Sequence, residues 1–443
     1  MKKTLFQVVL IGILIFGIII AVLIFAGVIK TSSGKNSTAG LSGTVTIWGT
    51  VPRNKMLTII DPILKDAKTY KIEYVQKSEA TYETDLVEAL ASAKGPDIII
   101  VNPGILIKQT DKIALTPYSN FSQRDYKDTF ASIGDLFLAP DGILAIPISI
   151  DPMVLYYNKD ILEKNDITLP PAYWSDLITL APKLSSVSES GVLARNMVAL
   201  GEYDNITHAK DIVSLMALQL GNPIIESTVK YQDKKGYLVY RSVLNTTNAD
   251  GVHVGESVLR FYTQFADPAK QTYSWNKTFG SDRDLFIGGK LAFYFGYASE
   301  YAGIQEKNPN LRFDIAKVPQ VREDYPTKVT YGNMLGVAVL KSSKNQAAAF
   351  NATQYLMSAN FAPLIADALG TAPARRDLLS KKQEGSYNGI VYPSAIIARG
   401  WLDPDGRKTN DIFKQMITSA VSGRSNLSEA VGDFNNSLND ILQ

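Results

Sequence analysis

Three short runs near the start of the folded part decide the fold class: TVTIW (44–48), KIEYVQ (71–76) and DIIIV (97–101). Apolar residues recur at helical spacing between them, in 55–67 and in 82–93, although Pro62 interrupts the first segment. The third run is apolar throughout its last four residues, as expected of a strand buried on both faces of a parallel sheet. The order β-α-β-α-β therefore predicts an α/β fold.

The rest of the chain changes pattern several times. Strand patterns occupy 143–150 and 154–157, a mainly helical stretch covers 160–270, and strand patterns return at 290–295, 313–318 and 335–340 before a helical end. A chain that alternates in this way favours two lobes joined by several crossings, which form a hinge. We predict one lobe from 43–150 and 281–330, and the other from 151–280 and 331–443.

The N-terminus has the composition of a membrane anchor. Residues 8–29 contain no charged or strongly polar side chain, and these 22 residues can span roughly 30 Å of hydrocarbon. We predict a transmembrane anchor in 1–30 and a flexible tether in 31–42 (TSSGKNSTAGLS), with the folded body on the extracytoplasmic side of the cell membrane. Cleavage near Ala26 is the alternative, but a signal peptide has a shorter apolar region of about 7 to 15 residues.

Composition excludes several function classes. The 443 residues carry a net charge of +2 and no basic stripe, so we do not expect a nucleic-acid partner. The absence of cysteine excludes disulfides, thiolate metal sites and cysteine nucleophiles. The two histidines, His208 and His253, are too few and too isolated for a histidine metal site, and no P-loop or Gly-x-Ser-x-Gly motif occurs. We therefore expect no catalytic residue, metal or cofactor.

Three segments in order resemble one known family: GPDIII (95–100), AIPISIDPMVLYYNKDIL (145–162) and LFIGGKLAFYFGYASEY (285–301). They are similar to the family 1 extracellular solute-binding proteins of ABC importers, the group that includes maltose-binding protein, and the similarity extends from Gly43 to the C-terminus. The resemblance implies a class II periplasmic-binding-protein-like fold with two hinged lobes. It also implies a monomer that binds a carbohydrate between the lobes and delivers it to the permease subunits of an ABC transporter.

Two other functions remain open at this point. A glycoside hydrolase would need two carboxylates about 5 to 10 Å apart, a distance that the sequence does not contain. A sensor subunit would report the ligand to a membrane kinase instead of a permease.

The candidate ligand residues follow predicted strands, because ligands of open α/β sheets bind beyond the carboxyl ends of strands. Asp151 aligns with an acidic ligand-contacting position of the maltose-binding pattern, with a hinge-stabilising or helix-capping role as the alternative. Tyr297 lies within one residue of a family aromatic that stacks on sugar, with a core position as the alternative. The full candidate set is Thr50, Arg53, Asn102, Asp151, Tyr297, Asn333, Arg375 and Trp401.

The chain departs from the maltose-binding pattern after the third strand, where it has Asn102-Pro103-Gly104 in place of polar and acidic groups. The maltodextrin site is therefore not reproduced. A different sugar, or an anionic ligand held by Arg53 or Arg375, is compatible with the sequence. The segment DPDG (403–406) is interpreted as a turn, because it lacks the later ligands of a calcium loop.

Overall fold

The computed structural model describes residues 43–66, 70–188, 193–232, 235–381, 383 and 385–442. The predicted transmembrane segment and tether lie outside these residues. Within the described ranges, no helix has both the length and the apolar character needed to cross a membrane.

Sixteen α-helices lie in the described part of the chain. They are α1 (Arg53–Asp66), α2 (Tyr82–Ala91), α3 (Pro103–Gln109), α4 (Gln123–Thr129), α5 (Lys159–Lys164), α6 (Trp174–Leu184), α7 (Ala209–Gln219), α8 (Val254–Thr263), α9 (Asp282–Ile287), α10 (Tyr301–Lys307), α11 (Gln346–Met357), α12 (Ala362–Leu369), α13 (Arg376–Leu379), α14 (Ser386–Ile396), α15 (Gly406–Val421) and α16 (Leu427–Leu442).

The same residues contain fifteen strands. They are β1 (Thr44–Gly49), β2 (Lys71–Gln76), β3 (Ile98–Val101), β4 (Leu138–Ala139), β5 (Gly142–Ile143), β6 (Ile146–Asn158), β7 (Ser186–Val187), β8 (Leu193–Val198), β9 (Ile225–Gln232), β10 (Lys235–Ser242), β11 (Leu291–Tyr297), β12 (Phe313–Lys317), β13 (Thr330–Val339), β14 (Ala372–Pro373) and β15 (Ala398–Arg399). The main sheet follows the order β2-β1-β3-β13-β6-β11-β8-β7, with β12 and β14 on β6 and β15 on β13.

The predicted β-α-β-α-β unit is confirmed. Strand β1 pairs in parallel with β2 on one side and with β3 on the other, so it is the central strand of the unit. All four residues of β3 are buried, as its uniform apolar sequence predicts. The parallel arrangement brings the carboxyl ends of β1 and β3 to the same edge of the sheet.

Strand β6 joins the two ends of the sheet. Its first half pairs antiparallel with β13, with Asn333 opposite Asp151, and its second half pairs with β11 and β12. The sequence predicted two separate strands here, whereas the structure has one strand that changes partners near Pro152. Proline donates no N–H to a sheet, and a change of partner is a place where that loss is tolerated.

The strand pairing conflicts with the predicted placement of 281–330 in the same lobe as 43–150. Strands β11 and β12 pair with the second half of β6, and β11 also pairs with β8, whereas β3 pairs with the end of β13. Residues 291–317 therefore share a sheet region with 153–198. A strand pattern shows that a segment is extended and buried but not which strand it pairs with, which explains the difference. The division into two lobes itself stays a prediction.

Candidate ligand-binding cleft

A cavity of about 300 Å³ lies at the carboxyl ends of β1 and β3 and is called the cleft below. Strand β13 supplies its floor with residues 331–335, and Leu136 and Gly400 also contribute. One wall comes from the β-α-β-α-β unit and the segment after it: Thr50, Glu79, Tyr82, Glu83, residues 100–105 and Lys108. The opposite wall comes from the first turn of α7 and the segment before α15: Lys210, Asp211, Trp401 and residues 403–406.

Four of the eight sequence-predicted residues line the cleft: Thr50, Asn102, Asn333 and Trp401. The Oδ1 atom of Asn102 accepts a hydrogen bond from the Ile105 amide at 3.2 Å, so this side chain also caps α3, in which Pro103 occupies the first turn. The side chains of Thr50 and Asn333 have no hydrogen-bond partner within the described part of the chain. They are therefore available to a ligand.

Trp401 is mostly a packing residue at the edge of the cleft. It is 5% exposed, and its ring packs against Phe413 with the ring centroids 6.0 Å apart. Its buried indole N–H finds no hydrogen bond of normal geometry among the described residues, although the indole lies near the Tyr331 hydroxyl. Trp401 therefore presents little aromatic face to a ligand.

Asp151 and Tyr297 lie behind the cleft instead of lining it. Asp151 accepts hydrogen bonds from the backbone amide and the hydroxyl of Ser299. Burial raises the pKa of Asp151 to about 7, against the opposing effect of the Ser299 hydrogen bonds. Tyr297 is 6% exposed, and its hydroxyl donates to Oδ2 of Asp211 at 2.7 Å. The core position considered as the alternative for Tyr297 matches this placement, and Asp151 uses both of its oxygens on Ser299.

The two candidate arginines also lie outside the cleft lining. The guanidinium of Arg53 donates to the backbone carbonyl of Tyr74. Arg375 forms a paired contact with Asp377, with N–O distances of 2.9 and 3.1 Å, and donates to the Met357 carbonyl. The two arginines that the sequence left open as a site for an anionic ligand are therefore engaged elsewhere.

Charged residues that the sequence analysis missed line both walls. Lys108 lies 2.9 Å from Glu83 on its own wall and 3.6 Å from Asp405 on the opposite wall. Lys210 lies 2.6 Å from Asp403. Asp405 Oδ1 accepts from the amides of Arg407 and Lys408 and caps α15, so the DPDG segment is the predicted turn and also part of the cleft.

A buried chain of charges lies behind Asp211. His208 stands 2.8 Å from Glu300 and 3.8 Å from Asp211, and Glu300 also pairs with Arg283 at 2.7 Å. Burial lowers the pKa of His208, but Asp211 and Glu300 outweigh it and raise this pKa to about 10. Burial likewise opposes ionisation of Glu300, but hydrogen bonds from His208, Tyr297 and Arg283 bring its pKa down to about 2. His208 and Tyr297, the two residues whose side chains contact Asp211, are therefore both bonded to Glu300, which limits their movement.

An α/β fold with a polar cleft beyond its strand ends is an arrangement in which small ligands bind. The chain belongs to the family of bacterial extracellular solute-binding proteins, which it matches over residues 54–360. A binding protein of Brucella abortus (strain 2308) is 22% identical over 338 residues, which cover 73% of this chain and 71% of the relative. The family is one of substrate-binding proteins and not of enzymes.

Solved structures show the same fold. A cyclo/maltodextrin-binding protein in complex with maltotetraose superposes with a TM-score of 0.69 at 14% identity, covering 93% of this chain and 99% of that one. An ABC transporter solute-binding protein from Thermotoga lettingae bound to α-D-tagatose gives 0.64 at 19% identity, covering 91% and 100%. A substrate-binding protein from Listeria monocytogenes in complex with cycloalternan gives 0.64 at 16% identity, covering 90% and 98%.

Proposed function

We propose that this chain is the extracytoplasmic binding component of an ABC uptake transporter and that it binds a carbohydrate in the cleft. The observation that carries the proposal is the set of polar groups that line the cleft without a protein partner in the described residues: the Thr50 hydroxyl, the Asn333 amide and Oδ1 of Asp211. Each sugar hydroxyl both donates and accepts hydrogen bonds, so a mixture of donors and acceptors suits it.

Closure of two lobes on the ligand would complete the site. We place about 43–150 and 332–380 in one lobe and the remaining described residues in the other, with β6 and β13 crossing between them. The contact between Lys108 and Asp405 then bridges the lobes at the mouth of the cleft. Ligand binding would favour the closed form because only that form contacts the ligand from both walls.

The apolar run 8–29 supports an N-terminal anchor that keeps a monomeric body near the membrane, where it meets the permease pair. The known ligands of the structural neighbours support a sugar. The small volume of the cleft, about 300 Å³, favours a short saccharide over a long one.

A thermal-shift screen of the full chain tests the sugar class. The probes are neutral mono- and disaccharides, amino acids, polyamines and organic anions. A ligand that binds only the folded protein stabilises it by about 2.7 kcal/mol at 100 times Kd. We expect at least one saccharide to raise the melting temperature. A rise with amino acids or polyamines alone, or with no probe, contradicts the carbohydrate proposal.

A further inference from the structure

Asp211 has one carboxylate oxygen committed to the protein and one available. The Tyr297 hydroxyl, at 2.7 Å, and His208, at 3.8 Å, both contact Oδ2. Oδ1 has no hydrogen bond to any described residue, and it is not among the atoms sealed from solvent. Because Asp211 lines the cleft, this oxygen is an acceptor that a ligand can reach.

The other carboxylates of the cleft differ from Asp211. Glu83 pairs with Lys108, Asp403 accepts from Lys210 and the Thr409 hydroxyl, and Asp405 caps α15. Glu79 is exposed, where water screens its charge. Asp211 alone combines a position in the cleft, a side chain only 20% exposed and a free oxygen.

The contacts behind Asp211 fix both its position and its rotamer. Tyr297 and His208 pack edge to face with their ring centroids 4.9 Å apart, so the two groups that contact Oδ2 also hold each other. His208 in turn is anchored through Glu300 to Arg283. A carboxylate that is fixed in advance loses little freedom when it binds a donor, which favours affinity.

We propose that Asp211 is the residue that sets ligand specificity, that Tyr297 and His208 are its positioning residues, and that the cleft takes neutral or amino sugars and rejects acidic ones. A hydroxyl or ammonium group of the sugar donates to Oδ1 of Asp211. A carboxylate or phosphate placed there faces a like charge, and neither Lys108 nor Lys210 is free to compensate. The inference rests on the proposed sugar-binding function and resolves its choice between neutral and anionic ligands.

Matched monosaccharides test this inference by titration calorimetry on the full chain. The probes are glucose, galactose and mannose, their 2-amino derivatives and their uronic acids. We expect one or more neutral or amino sugars to bind and the corresponding uronic acid to bind at least tenfold more weakly. Asp211→Asn should lower the affinity for the bound sugar by about tenfold to a hundredfold, because a hydrogen bond to a charged acceptor is lost. It should also reduce the discrimination against the uronic acid.

Two variants separate this role from a structural one. Tyr297→Phe removes only the hydroxyl that holds Asp211, so we expect weaker sugar binding and no further loss when it is combined with Asp211→Asn. Glu306→Gln, the same chemical change at an exposed carboxylate of α10 outside the cleft lining, should leave the ratio of neutral to acidic binding unchanged. Melting temperatures without ligand report whether each variant is folded.

The outcomes distinguish this inference from the function on which it rests. Equal or tighter binding of a uronic acid by the unchanged protein overturns the inference and leaves sugar binding intact. A folded Asp211→Asn variant with unchanged affinity and selectivity also overturns it. If neither these probes nor any saccharide of the thermal-shift screen binds, both the inference and the proposed function fail.

Discussion

Single residues in this protein show how hydrogen-bond partners distinguish a carboxylate engaged by the protein from one that is available to a ligand. Asp151 and Asp211 are both near the cleft, but Asp151 uses its oxygens on Ser299 whereas Asp211 keeps Oδ1 free. The sequence placed Asp151, Thr50 and Asn102 near strand ends because those ends follow from apolar runs. It gave no signal for Asp211, since the position of α7 against the cleft depends on tertiary packing. A histidine followed by an aspartate three residues later is too common to be diagnostic.

Asp151 should make stability depend on pH. Its pKa is about 7 in the folded protein, above the ordinary value of 3.8, so between these values the folded state keeps a proton that the unfolded state releases. This contribution is fully present below pH 4 and is lost as pH rises through 7. Asp151→Asn should therefore lower the free energy of unfolding less at pH 8 than at pH 5. Denaturant unfolding of the variant and of the unchanged protein at both pH values measures this difference. An equal cost at both values would contradict this.

Glu300 should be important for stability because it lies between two partly buried cations, His208 and Arg283. Glu300→Gln removes the anion that His208 and Arg283 share and leaves His208 with Asp211 alone, so we expect a loss of about 1–3 kcal/mol. The free energy of unfolding at pH 7 measures the loss. Glu306→Gln is the matched control, since Glu306 is exposed on α10 and forms no ion pair within the described ranges. A similar loss in both variants would show that the buried chain has no special role.

At the scale of elements, the apolar runs of β1 and β3 and the helices between them could be predicted, because their patterns are local. The partners of β11 and β12 could not, since pairing is decided by tertiary contacts between segments far apart in sequence. Strand β6 illustrates both cases. Its extended conformation was predictable on either side of Asp151 and Pro152, but its continuity depends on β13 and β11, which pair with its two halves.

Gly336 marks an irregular point in β13, where the register with β6 shifts. A Cβ there would clash with the ring of Phe137, which is fully buried, so Gly336→Ala should destabilise the protein by about 1–3 kcal/mol through overpacking. Gly389→Ala is the matched control on α14, where a Cβ meets nothing within 4 Å. That change should stabilise by up to about 1 kcal/mol, because alanine favours a helix over glycine. Melting temperatures that shift in the same direction for both variants would contradict this account.

At the scale of the whole molecule, closure depends on contacts between the two walls of the cleft. The Lys108 side chain is one-third exposed, and its ammonium contacts Glu83 on its own wall and Asp405 on the opposite wall. Partly exposed ion pairs contribute at most about 1 kcal/mol, which is a factor of about five in a two-state equilibrium. The pair can therefore bias closure without locking the cleft shut.

Lys108→Met should open the ligand-free protein. The chain contains no cysteine, so cysteines introduced at exposed Lys94 and Arg424 can carry a pair of fluorescent labels. We expect the population with the longer label distance to grow by up to about fivefold in the variant. High salt should produce a similar change in the unchanged protein by screening the pair. Identical distance distributions in both proteins would contradict a role for Lys108 in closure.

Hydrogen exchange on the full chain, with and without the sugar that gives the largest thermal shift, tests most directly whether the cleft is the ligand site. The predicted result is slower amide exchange in residues 100–108, 210–211, 331–335 and 400–406, which form both walls and the floor. Protection confined to residues outside these segments, or protection of one wall only, would contradict binding in a cleft that closes on its ligand.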